Sequence, residues 1–283
     1  MAQTKHEIQE LLAAANTGPR HRFGQNFMID QNLVRLVAEA GRIERGDVVI
    51  EVGPGTGTLT EELLERAGEV VAVEIDHDLA ALLRERFGAR AGFRLIEGDA
   101  LAGKHLINAE VLDVIATAKR DGRAVKLVAN LPYNIASPLI IELLIAGVDL
   151  LAFTVQREVA DRLKGRAAGD DYGVLTVMAQ MLGDVELMRV LPPQAFWPPP
   201  KIDSALVRIV RKDRVGDDAA RFSTFLQKVF SARRKMLRKA LTNAGYEAES
   251  MLKAAGIDPQ TRPEDVTPEA LWKLYQESRK SAE

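Results

Sequence analysis

Five short runs in this chain, DVVIEVG, VVAVEI, FRLIEGD, AVKLVAN and LLAFTVQ, are apolar nearly throughout instead of alternating with polar residues. A strand of that kind must be buried on both faces, which calls for a parallel sheet covered by helices. The stretches beside and between them have helical spacing: QNLVRLVAEAG, LTEELLERAG, DLAALLRERFG, EVLDVIATAKRDG and SPLIIELLIAG. In the last, Ser137 suits the N-cap and Pro138 the first helical position. Strand–helix alternation with right-handed crossovers predicts an α/β fold with a Rossmann-like, doubly wound sheet. After residue 183 the rhythm changes. VELMRVL and SALVRIV flank the proline-dense PPQAFWPPPK and are expected to pair as an antiparallel closing edge. Beyond the polar linker RKDRVGDD the chain reads as helix. One long segment is expected from Asp218 to Asn243, with Phe222, Phe225, Leu226, Val229, Phe230, Leu237 and Leu241 near one face. Two shorter helices follow, the last opened by Thr267 and Pro268. The expected domains are 1–215, with 1–20 as a helical N-terminal extension (HEIQELLAAA) ended by Asn-Thr-Gly-Pro, and a small all-α domain at 216–283.

Composition removes several function classes. Cysteine does not occur in the 283 residues, which excludes disulfides, thiolate metal sites and cysteine nucleophiles. The four histidines (6, 21, 77 and 105) do not pair at metal-ligand spacing, so no metal is expected. No run approaches the roughly 20 apolar residues of a membrane span. The opening MAQTKHEIQE lacks the apolar block of a secretory signal. These features lead to the expectation of a cytoplasmic, metal-independent monomer. The net charge of -2 hides an asymmetry: 201–243 hold 12 Lys and Arg against 4 Asp and Glu, while the residues on either side are net acidic. Such concentration suits a polyanion partner; on charge alone a solvated helix face suits it too.

The first apolar run ends in Glu51-Val52-Gly53-Pro54-Gly55-Thr56-Gly57 and leads into a helix. Alternate glycines let a backbone pass close to a ligand and expose amide donors near a helix N-terminus. The third glycine comes one residue earlier than in the nicotinamide fingerprint, which suits a small zwitterionic ligand better than a pyrophosphate. Alone, the run also fits a plain tight turn. Glu74 ends the second strand, 21 residues after Gly53, where a carboxylate can accept both hydroxyls of a ribose. Asp99 closes the third strand, placed to accept from an exocyclic amine, and Asn130 closes the fourth. Each could be a solvated loop group by itself; their consecutive order at strand C-termini is what points to a nucleoside site.

Asn130-Leu131-Pro132-Tyr133 suits transfer to an amine on a flat aromatic ring. The lone pair of an adenine N6 amine is delocalised into the ring. The Asn130 side-chain oxygen and the Leu131 carbonyl could take its two protons and draw the nitrogen toward a tetrahedral shape. Pro132 stiffens the turn. Tyr133 offers a ring for an extruded base, with Phe196 on the other face, or both are ordinary core aromatics. No dedicated general base is needed, because the methylated cation loses its proton to water.

HRFGQNFMID, EVGPGTGTLTEEL, VVAVEID, EGDAL, NLPYNIASPL, YGVLTVMAQ, FWPPPKIDSALV and SARRKMLRKAL occur in this order. From about residue 20 to the C-terminal helices the chain resembles the ribosomal RNA adenine dimethyltransferases, most nearly the bacterial small-subunit type. The resemblance implies a Rossmann-like methyltransferase sheet that uses S-adenosylmethionine. It implies dimethylation of two adjacent adenosines in a 16S rRNA hairpin near the 3′ end, within the assembling small ribosomal subunit. Cofactor contacts carry over to Asn26, Met28, Gly53, Glu74, Asp99 and Asn130, beside Gly55 of the glycine loop. The base site carries over to Asn130, Leu131, Pro132 and Tyr133, with Phe196 as second ring. Arg233, Arg234, Lys235, Arg238 and Lys239 become the RNA grip. Met28 stands where leucine is more usual in the family, and Trp197 is bulkier than many members carry. Large-subunit relatives usually read Asn-Ile-Pro-Tyr or Asn-Ile-Pro-Phe, and DNA adenine methyltransferases more often begin with Asp, so Leu131 and Asn130 point away from both. An assembly or transcription factor on the same fold is the alternative of a different class.

Overall fold

A computed structural model describes residues 3–20, 23–103 and 106–280. His21 and Arg22 of the HRFGQNFMID run, and His105, lie outside the described residues. The chain divides into two compact units, Met1–Ala160 with Glu186–Arg211, and Asp161–Val185 with Lys212–Glu283. The sequence reading placed the boundary at 215/216 and kept 161–185 with the sheet.

The first unit runs α1 (Lys5–Ala14), β1 (Phe27–Met28), α2 (Gln31–Ala40), β2 (Val48–Val52), α3 (Thr58–Arg66), β3 (Glu69–Glu74), α4 (His77–Phe87) and β4 (Phe93–Glu97). A short hairpin, β5 (Leu101–Gly103) and β6 (Leu106–Ile107), precedes α5 (Ala109–Arg120), β7 (Val125–Asn130), α6 (Ala136–Ile145) and β8 (Leu150–Gln156). In chain order α7 (Arg157–Leu163), which crosses the unit boundary, and α8 (Val174–Leu182), which belongs to the second unit, follow, then β9 (Gly183–Leu191), β10 (Phe196–Trp197) and β11 (Ser204–Arg211). The main sheet has the order β4-β3-β2-β7-β8-β11-β9. β4, β3, β2, β7 and β8 are parallel to their neighbours, and β11 joins β8 antiparallel. All five apolar runs are therefore strands. Every residue of β2 is buried, whereas β4, at the sheet edge, buries only Ile96 and leaves Arg94 and Glu97 exposed, against the expectation of burial on both faces. The chain leaves β2 toward β3 on one side and reaches β7 on the other. A crevice opens at such a switch point, at the strand C-termini.

Three local expectations change. α6 begins at Ala136 with Ile135 as N-cap, so Ser137 does not cap it. The reason is the turn before it: Ile135 N donates to Pro132 O at 3.2 Å, and Leu139 N then donates to Ile135 O at 3.0 Å. Pro138 falls inside the first turn, where its missing N–H is not required. Second, the YGVLTVMAQ run forms α8, which packs in the second unit against α9 (Ala219–Phe230) and α12 (Pro268–Lys280). Tyr172 ties this segment to the later helices by donating its hydroxyl to Val266 O at 2.6 Å.

Third, the expected long helix is broken. α9 stops at Phe230, a turn covers 231–236, and α10 (Leu237–Asn243) begins a new helix, followed by α11 (Ala248–Ala255). Val229 and Leu237 are buried. In an unbroken helix Arg233 would lie between them on the same stripe, four residues from each. Burying an unpaired guanidinium is costly. The break lets Arg233 stay exposed, 3.8 Å from Glu264. Leu237 N finds its partner in Thr261 O at 2.7 Å. The final helix starts as expected, with Ala270 N donating to Thr267 Oγ1 at 3.3 Å.

Candidate nucleoside and methyl-transfer site

An open cleft lies at the switch point of the first unit. Its walls include Asn26, Met28, Gly53, Gly55, Glu74, Asp99, Asn130 and Pro132, so the sequence-predicted cofactor residues meet in one place. Gly53, Gly55 and Gly57 have φ of +71°, +62° and +83°, in the left-handed region that favours glycine. The loop is also closely packed. A Cβ on Gly55 would come 2.9 Å from the Phe27 ring, and one on Gly57 would come 2.4 Å from Phe87.

Phe27 reaches that place through a contact that the sequence reading did not foresee. β1 pairs with β10, setting Phe27 opposite Trp197 and Met28 opposite Phe196. The HRFGQNFMID and FWPPP runs thus each supply two residues, Phe27–Met28 and Phe196–Trp197, to one small ribbon. Trp197 stacks on Phe27 with ring centroids 6.3 Å apart, which gives the tryptophan a role in supporting the glycine loop. The same pairing buries Phe196 to 1 % exposure in an apolar cluster with Met28, Leu191, Ala195 and Leu206. A stacking role for Phe196 would require its ring to turn out of that cluster.

Glu74 is nearly enclosed. Its carboxylate accepts from Gly55 N at 3.2 Å and Asp76 N at 2.9 Å. Burial pushes its carboxyl up to about 7, against the pull of those two amides. Glu51, also on the cleft wall, accepts from Thr60 Oγ1 at 2.6 Å, and burial pushes it up to about 8. The sequence reading gave Glu51 no role, because its inward direction is set by β2 lying between two parallel neighbours. Both folded-state values lie above the unfolded reference of 4.5. Each group therefore adds stability that is full below pH 4.5 and lost as pH rises through about 7 for Glu74 and about 8 for Glu51. The thermal midpoint of the free protein is expected to fall across that range. Glu51→Gln is expected to flatten the upper part, and a curve unchanged by that substitution would contradict the assignment.

The loop ahead of β1 is stitched over the cleft. Arg20 pairs with Asp76 at 2.7 Å and with Asp78 at 2.5 Å, and Gln25 donates to Asp76 at 3.1 Å. Asn130 Nδ2 donates to Asn26 O at 2.6 Å, joining the two predicted asparagines directly. At the other end of the same amide, Thr154 Oγ1 donates to Asn130 Oδ1 at 2.5 Å. Leu131 is buried, and its N–H donates to Thr154 O at 3.2 Å. Tyr133 is half-buried beside the turn, with its hydroxyl 2.7 Å from Ser204 Oγ. Asp99 is exposed at the mouth, its Oδ1 accepting from Leu101 N at 2.9 Å.

The residues present fit an adenosyl group with a short charged tail. A buried carboxylate at a strand end retains acceptor capacity beyond its two amide donors, as ribose hydroxyls need. A loop of glycines at positive φ brings backbone amides to the cleft without side chains in the way. Apolar walls from Val52, Ile75 and Ala100 suit a purine. Among the described residues no group of three or more His, Asp and Glu could hold a metal ion. No described helix is long and apolar enough to cross a membrane.

Solved structures share this architecture. One is the 23S rRNA methyltransferase ErmE, 26% identical, with a TM-score of 0.63 over 90% of this chain and 100% of that one. Another is a dimethyladenosine transferase from Plasmodium falciparum, with a TM-score of 0.68 over 90% of this chain and 98% of that one; at 22% identity it speaks for the fold alone. Fold and cleft together define a Rossmann-like methyltransferase. The ribosomal RNA adenine dimethylase family model matches residues 16–280. Curated relatives named ribosomal RNA small subunit methyltransferase A come from Magnetococcus marinus (40% identical, 92% of each chain) and Moorella thermoacetica (38%, 88% of each chain). A third, with the same name, is from Rubrobacter xylanophilus (40%, 93% of this chain and 97% of its own). The chain belongs to the ribosomal RNA adenine dimethylase family.

Proposed function

We propose that the protein is an S-adenosylmethionine-dependent small-subunit rRNA adenine dimethyltransferase. Its substrate on this reading is a pair of adjacent adenosines in a 16S rRNA hairpin near the 3′ end of the assembling subunit. The observation that carries the reading is Asn130. Its amide stands at the cleft wall, with Nδ2 on Asn26 O and Oδ1 facing Thr154, at the head of the Asn-Leu-Pro-Tyr turn. The names of the curated relatives support the choice of the small subunit.

When bound, S-adenosylmethionine supplies an electrophilic methyl group on a sulfonium centre. Glu74 would hold the ribose hydroxyls, and the Gly53–Gly57 loop would receive the charged tail. The second lone pair of Asn130 Oδ1, together with the Leu131 carbonyl, accepts hydrogen bonds from the two N–H groups of the adenine N6 amine. That frees the nitrogen lone pair from the ring. Tyr133 supplies a stacking face for the extruded base. The methylated amine gives its proton to water, so no residue of the turn need act as a base. The second unit grips the RNA backbone through Arg233, Arg234, Lys235, Arg238 and Lys239, all of them exposed. The protein works as a cytoplasmic monomer.

The test is methyl incorporation from labelled S-adenosylmethionine into three substrates: unmodified small subunits, large subunits and DNA. Label confined to small-subunit RNA is expected. Label mainly in large-subunit RNA or DNA would overturn the substrate assignment and leave the methyltransferase standing.

A further inference from the structure

The last parallel strand, β8, and the antiparallel strand beside it, β11, place two hydroxyls beside the Asn130–Tyr133 turn. Thr154 on β8 and Ser204 on β11 are each 0 % exposed. In the β8–β11 register Ser204 stands opposite Gln156 and Leu206 opposite Thr154, so the hydroxyls come from adjacent strands, two residues apart in register. Thr154 serves the turn twice: Oγ1 donates to Asn130 Oδ1 at 2.5 Å, and its carbonyl accepts from Leu131 N at 3.2 Å. Ser204 Oγ meets the Tyr133 hydroxyl at 2.7 Å.

We propose that Thr154 and Ser204 are positioning residues for methyl transfer, one fixing the Asn130 amide and the other fixing the Tyr133 ring. The kinetic part of this inference rests on the function proposed above. The geometry explains why both ends of the amide are held. Asn26 O accepts from Nδ2, so a flipped amide would set oxygen against oxygen there. That contact sets which end is the acceptor. Thr154 then fixes where Oδ1 points, and leaves one of its lone pairs for substrate. The Tyr133 ring is on the same turn, and its hydroxyl tether to β11 restrains the plane on which a base would stack. Neither Thr154 nor Ser204 needs to touch the substrate.

The variants Thr154→Val, Thr154→Ser, Ser204→Ala and Tyr133→Phe test this in single turnover. One neutral hydrogen bond corresponds to a fewfold to about tenfold change in rate. Thr154→Val is expected to lower kcat about tenfold, with KM for RNA and cofactor within about twofold. Thr154→Ser is expected to restore most of the rate. Ser204→Ala and Tyr133→Phe are expected to cost the same fewfold amount singly and together, since both remove one bond. S-adenosylhomocysteine affinity stays at the wild-type value in all four, and the thermal midpoint falls by no more than the few degrees that one buried hydrogen bond or methyl group is worth. A readout independent of turnover is the NMR position of the Asn130 side-chain amide, expected to move in Thr154→Val and to hold in Thr154→Ser. The inference is overturned if Thr154→Val and Ser204→Ala keep the wild-type kcat. It is also overturned if the loss follows a larger fall in thermal midpoint or a fall in cofactor affinity, or if serine fails to rescue. Should the wild-type protein methylate no RNA while the Asn130 amide shifts as stated, the positioning stands and the function reading fails.

Discussion

Asn130→Ala is expected to lower methyl transfer by about 10²- to 10³-fold, the range for removing one preorganised polar group from a transition-state site. The loss should fall on kcat, because the amide acts on the reacting amine and not on the bulk of the RNA. Two contacts vanish with it, the bonds to Asn26 O and Thr154 Oγ1. Part of the cost therefore comes through the loop ahead of β1, and S-adenosylhomocysteine binding is expected to weaken a fewfold. Asn130→Asp separates the parts. It keeps an acceptor facing Thr154 but cannot donate to Asn26 O as a carboxylate. Rapid-quench single turnover with small subunits measures both variants. Wild-type rates in Asn130→Ala would remove the turn from the chemistry.

The second large effect concerns RNA. Replacing Arg233, Arg234 and Lys235 by glutamine is expected to weaken RNA binding by about 10²-fold at physiological salt. The log–log salt slope is expected to become shallower by about 2 to 3, near 0.7 to 0.9 for each phosphate contact removed. These three side chains lie in the exposed turn between α9 and α10, outside any helix core, so the fold is expected to tolerate the change. Filter binding across a salt series, with the thermal midpoint as control, reads both quantities. Unchanged affinity and slope would place the RNA grip elsewhere.

The parallel sheet was legible because burial on both faces writes itself into sequence as unbroken apolar runs. The glycine loop, Glu74, Asp99 and Asn130 were legible for a related reason: each ends such a run, and strand ends converge at a switch point. What could not be read is pairing between distant segments. Phe27 and Trp197 are 170 positions apart, and nothing local to either announces a two-residue ribbon. Phe196 reads as a free aromatic until its partner Met28 is known. Thr154 and Ser204 look like ordinary strand hydroxyls, since their meaning lies in the neighbouring turn. The helical unit misled in the opposite direction. The apolar spacing of α9 and α10 reads as one helix, yet the chain turns at 231–236, which keeps Arg233 exposed and gives Leu237 N a distant partner in Thr261 O.

The most direct test of the central claim is to incubate the purified protein and S-adenosylmethionine with small ribosomal subunits from a strain lacking the modification. The RNA is then digested and sequenced by mass spectrometry. The account predicts N6,N6-dimethyladenosine at two neighbouring positions of one hairpin near the 3′ end of the small-subunit RNA, lost in Asn130→Ala. Cofactor binding with no dimethyladenosine in that RNA would contradict it.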